Sequence, residues 1–335
     1  MKCLPSVLLS FVLLTLVACT ACAKPGEVID PAVAEKDPDF HVQGEYVGQG
    51  TLFGDASADI GAQVVALGDG KFDVKLFAGG LPGAGWTRED EQKKVGAARG
   101  EADSVKLSGG KLGGEIAKGQ LTVTDADGKT VATLKKTVRK SPTLGEQPPK
   151  GAKVLFDGTE AEKYAEQWEK GKASEMDTLM SGCTSKAQFD PDSYKIHLEF
   201  RTSWMPKARG QGRSNSGVYI HQSYECQVLD SFGLEGRDNE CGGFYKVQPP
   251  AVNMALPPLV WQTYDIEFTG PKYDESGKKV GNARATVRHN GVVIHDDLEL
   301  PRATPGCKPE GPGPRALYLQ GHGNKVQYRN IWVVE

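Results

Sequence analysis

Residues 194–202, YKIHLEFRT, alternate without a break. Tyr194, Ile196, Leu198 and Phe200 fall on one face of an extended chain, and Lys195, His197, Glu199 and Arg201 fall on the other. Side chains of a strand point to opposite faces in turn, so the run specifies a strand with one apolar and one polar side. The same style returns in GVYIHQ, WQTYDIEF, ATVRHNGVVIHD and VQYRNIWVV. His289-Asn290-Gly291-Val292 marks a hairpin, because Asn-Gly supplies both positive φ angles of a type I′ turn. Only GTEAEKYAEQWEKG, at 158–171, looks helical. Long strands with few helical periods over residues 151–335 predict an antiparallel β-sandwich.

Ahead of it, residues 41–140 carry shorter strand-like pieces such as EYVGQGTLF and AQVVALGDGKFDVKLF, divided by Gly and Asp-Gly turns. This predicts a small all-β accessory domain. WTREDEQKKVGAARGEAD inside it reads as a solvated loop or short helix. Three prolines in RKSPTLGEQPPKGAK place a linker at 141–150, and the Pro-rich, charged residues 24–40 read as a tether. The chain is expected to be all-β throughout.

Residues 1–23 read as an export signal: Lys2 precedes an apolar run too short to span a bilayer. LVAC (16–19) resembles a bacterial lipobox, which makes Cys19 a lipidation site; ACA (21–23) is the competing cleavage signal. The expectation is an exported protein, periplasmic or held at the outer membrane by a lipid, touching a membrane only through that anchor. In an oxidising compartment Cys183, Cys226, Cys241 and Cys307 read as disulfide partners, with Cys226–Cys241 the first choice of three pairings. A net charge of −3 gives no electrostatic reason to expect a nucleic-acid partner. No protein partner is predicted.

YECQVLD, residues 224–230, sets two acids and an amide into a strand-like run. Positions 225 and 227 share a face and 230 opposes them, unless a bulge after Gln227 swings Asp230 round. The spacing E-x-Q-x-x-D resembles the E-x-D-x-x-E strand of retaining glucanases with a concanavalin A-like sandwich. Their two carboxylates stand about 5–5.5 Å apart.

A resemblance covers more of the chain. VLFDGTEAEKYAEQW, LEFRT, NSGVYIHQSYECQVLDSFG, CGGFYKVQPPAVNMALPPLVWQTYDIEFTGP, NGVVIHDDLEL and LQGHGNKVQYRNIWV occur in the order found in the 3-keto-disaccharide (3-keto-glycoside) hydrolase domain family. Residues 151–335 resemble that family, which implies a concanavalin A-like sandwich and cleavage of a sugar already oxidised at C3. The ketone acidifies the C2 proton; its removal leaves an enolate that expels the C1 substituent, and water adds back. Such chemistry needs a base, a clamp for the enolate oxygen and an acid for the departing oxygen. No cofactor is required, although a divalent cation is able to replace the clamp.

Glu225 is expected to transfer the proton, with Asp230 as partner and His322, between two glycines, as shuttle. Arg201 is the candidate clamp and Lys246 a second cation; Asn215, Gln227, Tyr245 and Gln320 are candidate substrate contacts. Trp204, Tyr219, Tyr245 and Trp261 are candidate sugar platforms. His197, His221, His289 and His295 each fit an exposed strand position, and PKARGQGRSN, with Lys207, Arg209 and Arg213, reads as a mobile rim. The rivals to a 3-keto-glycoside hydrolase are a non-catalytic carbohydrate-binding protein on the same sandwich and a retaining glucanase acting on unmodified glycan.

Overall fold

A computed structural model describes residues 26–100 and 104–335. The export signal and Cys19 lie outside the described residues. Eight strands follow one another at the N-terminal end: β1 Gly44–Gly50, β2 Ala58–Gly68, β3 Lys71–Ala78, β4 Gln92–Arg99, β5 Val105–Gly109, β6 Leu112–Ala117, β7 Gln120–Thr124 and β8 Thr130–Thr137. Each pairs with the next and β8 closes on β1, making a barrel. Alternate residues such as Val64, Phe72, Val74, Leu121 and Leu134 fill its interior, as expected for a barrel of this strand number. Part of the expected charged loop is β4 instead. Val95 and Ala97 alternate inward with a period of two, which outweighs the local charge.

The second unit is a sandwich of two antiparallel sheets, and the all-β expectation holds. Its strands are β9 Lys153–Phe156, β10 Trp168–Glu169, β11 Leu179–Met180, β12 Cys183–Phe189, β13 Tyr194–Arg201, β14 Asn215–Ile220, β15 Tyr224–Leu229, β16 Gln262–Thr269, β17 Ala283–His289, β18 Val292–Leu300, β19 Arg315–Leu319 and β20 Gln327–Val334. The large sheet runs β9-β20-β13-β16-β17-β18, with β11 also on β20; the small sheet runs β10-β12-β19-β14-β15. Ile196, Leu198 and Phe200 from the large sheet meet Val218, Ile220, Cys226, Val228 and Leu319 from the small one in one buried core. The polar halves of both sheets therefore face outward, back to back.

Residues 26–42 are not a tether over their described length. Helices α1 (Pro31–Ala34) and α2 (Pro38–Val42) are each capped by an Asp whose side chain accepts a backbone N–H, with Pro in the first turn. Val28 and Trp204 exchange backbone hydrogen bonds of 3.1 and 2.8 Å. Trp204 is buried where barrel and sandwich meet and donates to Asp37, so it is no sugar platform. The linker lies across the outer face of the large sheet: Ser141 and Thr143 bond Thr263, and Gly145 N donates to Glu199.

Three further expectations are corrected. Cys183, Cys226, Cys241 and Cys307 are free thiols; Cys226 and Cys241 both hydrogen-bond the buried Tyr264 hydroxyl instead of each other. His197, His221, His289 and His295 are buried, and His289 faces the core outright, alternating inward with Ala283, Ala285 and Val287 and packing on Phe200 and Tyr264. His197, for instance, stacks on Trp332 at 4.9 Å. The 206–215 loop is pinned to the barrel: Arg209 donates to Leu67 O, and Arg213 donates to Ala66 O. Among the described residues no helix is long and apolar enough to cross a membrane.

Candidate active site

The site grows from the outer face of β14 and β15. These strands pair in unbroken register from Asn215↔Leu229 to Ile220↔Tyr224. Alternation sends Val218, Cys226 and Val228 into the core and presents Asn215, Gly217, Tyr219, Glu225 and Gln227 on the other side. The outer edge of β15 is not bare. Gln227 N donates to Gly243 O, Gly242 N to Gln227 O and Tyr245 N to Glu225 O, which brings Tyr245 alongside Glu225.

On the other flank β19 places Tyr318 edge-on to Tyr219, with ring centroids 5.0 Å apart, and the chain beyond it supplies Gln320 and His322. Thr304 accepts the Glu225 N–H through its hydroxyl at 2.9 Å, and Pro305 and Gly306 close the wall. The result is a cavity of about 240 Å³. Asn215, Glu225, Gln227, Tyr245, Gln320 and His322, six of the nine expected catalytic or substrate-contact residues, line it together with Tyr219 and Gln211.

Glu225 is the only carboxylate among the lining residues. Burial pushes its pKa from the ordinary 4.5 to about 8, against a partly offsetting hydrogen bond from the Tyr219 hydroxyl. That hydroxyl in turn accepts from Gln320 Nε2 at 2.7 Å, so Gln320, Tyr219 and Glu225 form a relay that fixes the carboxyl. The carboxyl lies flat over Gly217. A Cβ there would overlap a carboxylate oxygen and stand 2.9 Å from Cδ, so only glycine admits this position. Gln211 Oε1 accepts from Asn215 Nδ2 (3.0 Å) and Gln227 Nε2 (3.1 Å), which locks both amides. Asn215 Oδ1 and Gln320 Oε1 are buried without a partner. The Tyr245 hydroxyl and His322 imidazole have no protein hydrogen-bond partner among the described residues. Burial drives the neighbouring Cys307 thiol up to about 12, which leaves it protonated and unreactive.

Three expected residues lie elsewhere. No bulge follows Gln227, so Asp230 does not turn toward Glu225. It is buried against Arg213, at 2.6 Å, and joins the sandwich to the barrel. Arg201 faces outward from the large sheet on the far side of the sandwich, as the alternation of β13 dictates, and stacks over Trp261. Lys246 is exposed and 3.6 Å from Asp238. The common hollow for both acids, Arg201 and His322 does not exist.

The sequence reading missed Gln211, Gly217 and Thr304, and took Tyr219 only as a sugar platform. A glycine inside a strand is a signal of close approach. The Tyr219–Glu225 pairing was hidden because the β14–β15 turn uses His221 and Gln222 at positive φ where glycine or asparagine would announce it. Among the described residues one group, Glu146, His197 and Asp265, brings possible metal-ligating atoms within 4.8 Å of one another. It sits on the opposite sheet, and both ring nitrogens of His197 are already engaged, Nδ1 by Asp265 and Nε2 by Asn330.

Comparison with solved structures finds a proposed glycosyl hydrolase of Parabacteroides distasonis, 27% identical, with a TM-score of 0.50, over 56% of this chain and 84% of that one. A second from the same organism is 20% identical, with a TM-score of 0.38, over 55% of this chain and 98% of that one. No curated protein matches. Residues 151–334, the whole sandwich that carries the Glu225 cavity and more than half of the sequence, match the family model described as the 3-keto-alpha-glucoside-1,2-lyase-like domain. The ordered motifs, the sandwich and the family match agree, and the chain belongs to that family.

Proposed function

We propose that the Glu225 cavity cleaves 3-keto-glycosides by elimination followed by hydration. The observation that carries this reading is a single desolvated carboxyl, with a pKa of about 8, walled in by amides, Tyr219, Tyr245 and His322. The ionised Glu225 removes the C2 proton of the keto sugar, and the C2–H electrons flow into the C3 carbonyl to give an enolate. A carboxylate of raised pKa is a stronger base than an ordinary one, which suits a carbon acid. The Tyr245 hydroxyl donates to the enolate oxygen. Collapse of the enolate breaks the C1–O bond, and His322 protonates the departing oxygen. That collapse re-forms the C3 ketone and leaves a C1=C2 double bond; water then adds its oxygen to C1 and a proton returns to C2, which completes the net hydrolysis. The unpartnered Asn215 and Gln320 oxygens accept sugar hydroxyls.

A retaining glucanase needs a second carboxylate beside the first; Glu225 has none in its cavity. The expected export signal supports a reaction outside the cytoplasm in this reading.

The test is incubation of the chain with a 3-keto-disaccharide in D2O. Release of 3-keto-glucose carrying deuterium at C2, abolished in Glu225→Gln, supports the proposal. Saturable binding without release leaves a carbohydrate-binding protein, and turnover of the unoxidised disaccharide leaves a conventional glycosidase; either result overturns it.

A further inference from the structure

The larger cavity of the sandwich, about 670 Å³, lies on the outer face of the large sheet, behind the Glu225 site. Its walls come from three parts of the chain: Pro31 of α1, the linker at Gly145 and Gln147, and the sandwich itself. The first two lie outside the family match. At its floor Trp261 carries two guanidinium groups, Arg329 at 4.0 Å and Arg201 at 4.8 Å from the ring centroid.

The hydrogen bonds of this cavity are incompletely used. Glu199 is saturated by Arg329 Nε, Asn330 Nδ2 and Gly145 N. Asp157 is taken by Thr159. Arg201 spends Nε on Gln327 and Nη2 on Ile29 O and Met176 Sδ. Arg201 Nη1, both Nη groups of Arg329, and the Asp177 carboxylate have no protein partner among the described residues. Arg201 also has no carboxylate within ion-pair distance there, although its side chain is buried. Donors and an acceptor thus stand open on one cavity. Three carboxylates, Asp157, Asp177 and Glu199, outnumber the two arginines, so no surplus positive charge favours an anion. A ligand that offers donors and acceptors on adjacent atoms, without net charge, fits this wall. Polyhydroxylated rings have that character, and the volume is in the range of small-ligand sites.

We propose that this cavity is a second saccharide site, binding a neutral sugar without cleaving it. The choice of a sugar among polyols rests on the function proposed above for the Glu225 cavity.

The test follows the Trp261 indole N–H signal, assigned with Trp261→Phe, while trehalose, maltose and cellobiose are titrated into the full chain. At least one is expected to shift it saturably. Arg329→Gln should weaken that binding about ten-fold through loss of a charge-assisted hydrogen bond, and Thr159→Trp, at the exposed rim, should abolish it by filling the cavity. The rim variant keeps the test decisive if Arg329→Gln fails to fold. Absence of any shift, persistence of the shift in Thr159→Trp, or a response only to glucuronate or inorganic phosphate overturns the proposal. Turnover of the 3-keto-disaccharide is read separately, so either function is able to fail without the other.

Discussion

Glu225 ties the proposed chemistry to a stability measurement. A carboxyl moved from 4.5 to about 8 by burial carries about 5 kcal/mol against its ionised form, at about 1.4 kcal/mol per pH unit. In the unfolded chain the proton leaves near the ordinary value; in the fold it is kept until about pH 8. Between those values the native state holds more protons, so stability falls as pH rises and the loss is complete above the folded value. Glu225→Gln keeps the shape and cannot ionise. Urea denaturation from pH 4 to 9 should therefore show wild type losing stability relative to the variant, by up to about 5 kcal/mol. The same titration should appear in catalysis, with kcat/KM rising through a midpoint near 8 as the base is uncovered. Parallel stability curves for the two proteins, or a rate that already levels off near the ordinary carboxylate value, would refute the reasoning.

The supporting residues yield predictions of different kinds. Tyr219→Phe removes the hydrogen bond that favours ionised Glu225; the pH midpoint of the rate should move upward, as read from a pH profile, and kcat should drop about ten-fold. Gly217→Ala puts a methyl where the Glu225 carboxyl lies; turnover should fall at least about a hundred-fold for a stability loss of only about 1–3 kcal/mol, by steady-state kinetics beside thermal melting. Asp230→Ala strands Arg213 without its buried partner and should lower stability by about 3–5 kcal/mol. The protein that remains folded should keep its turnover, whereas a catalytic Asp230 would show the reverse pattern.

Local patterns of the chain settled the architecture. Period-two alternation in 194–201 and its sister runs is a property of neighbouring residues, and it sets which side chains share the apolar face that packs into the core. The same rule placed Glu225 and Gln227 on one face, and the ordered motifs marked the stretches that meet there. It also carried the signal that Arg201 and Glu225 belong to different surfaces, had the pairing of the sheets been known. That pairing was not legible, because β13 and β15 lie in opposite layers and nothing within either strand says so.

Asp230 is the plainest case. Its partner Arg213 is 17 residues away, in a loop whose charge reads as solvated until the barrel covers it. The carboxylate's character was equally hidden. Glu225 takes its high pKa from loss of water, and water is excluded jointly by Tyr219, Tyr245, Thr304 and the 320–322 loop, which approach from distant parts of the sequence. Periodicity, a local quantity, determined the fold and the facing of each residue. Burial and pairing depend on which surfaces come together, and only the tertiary structure decided those.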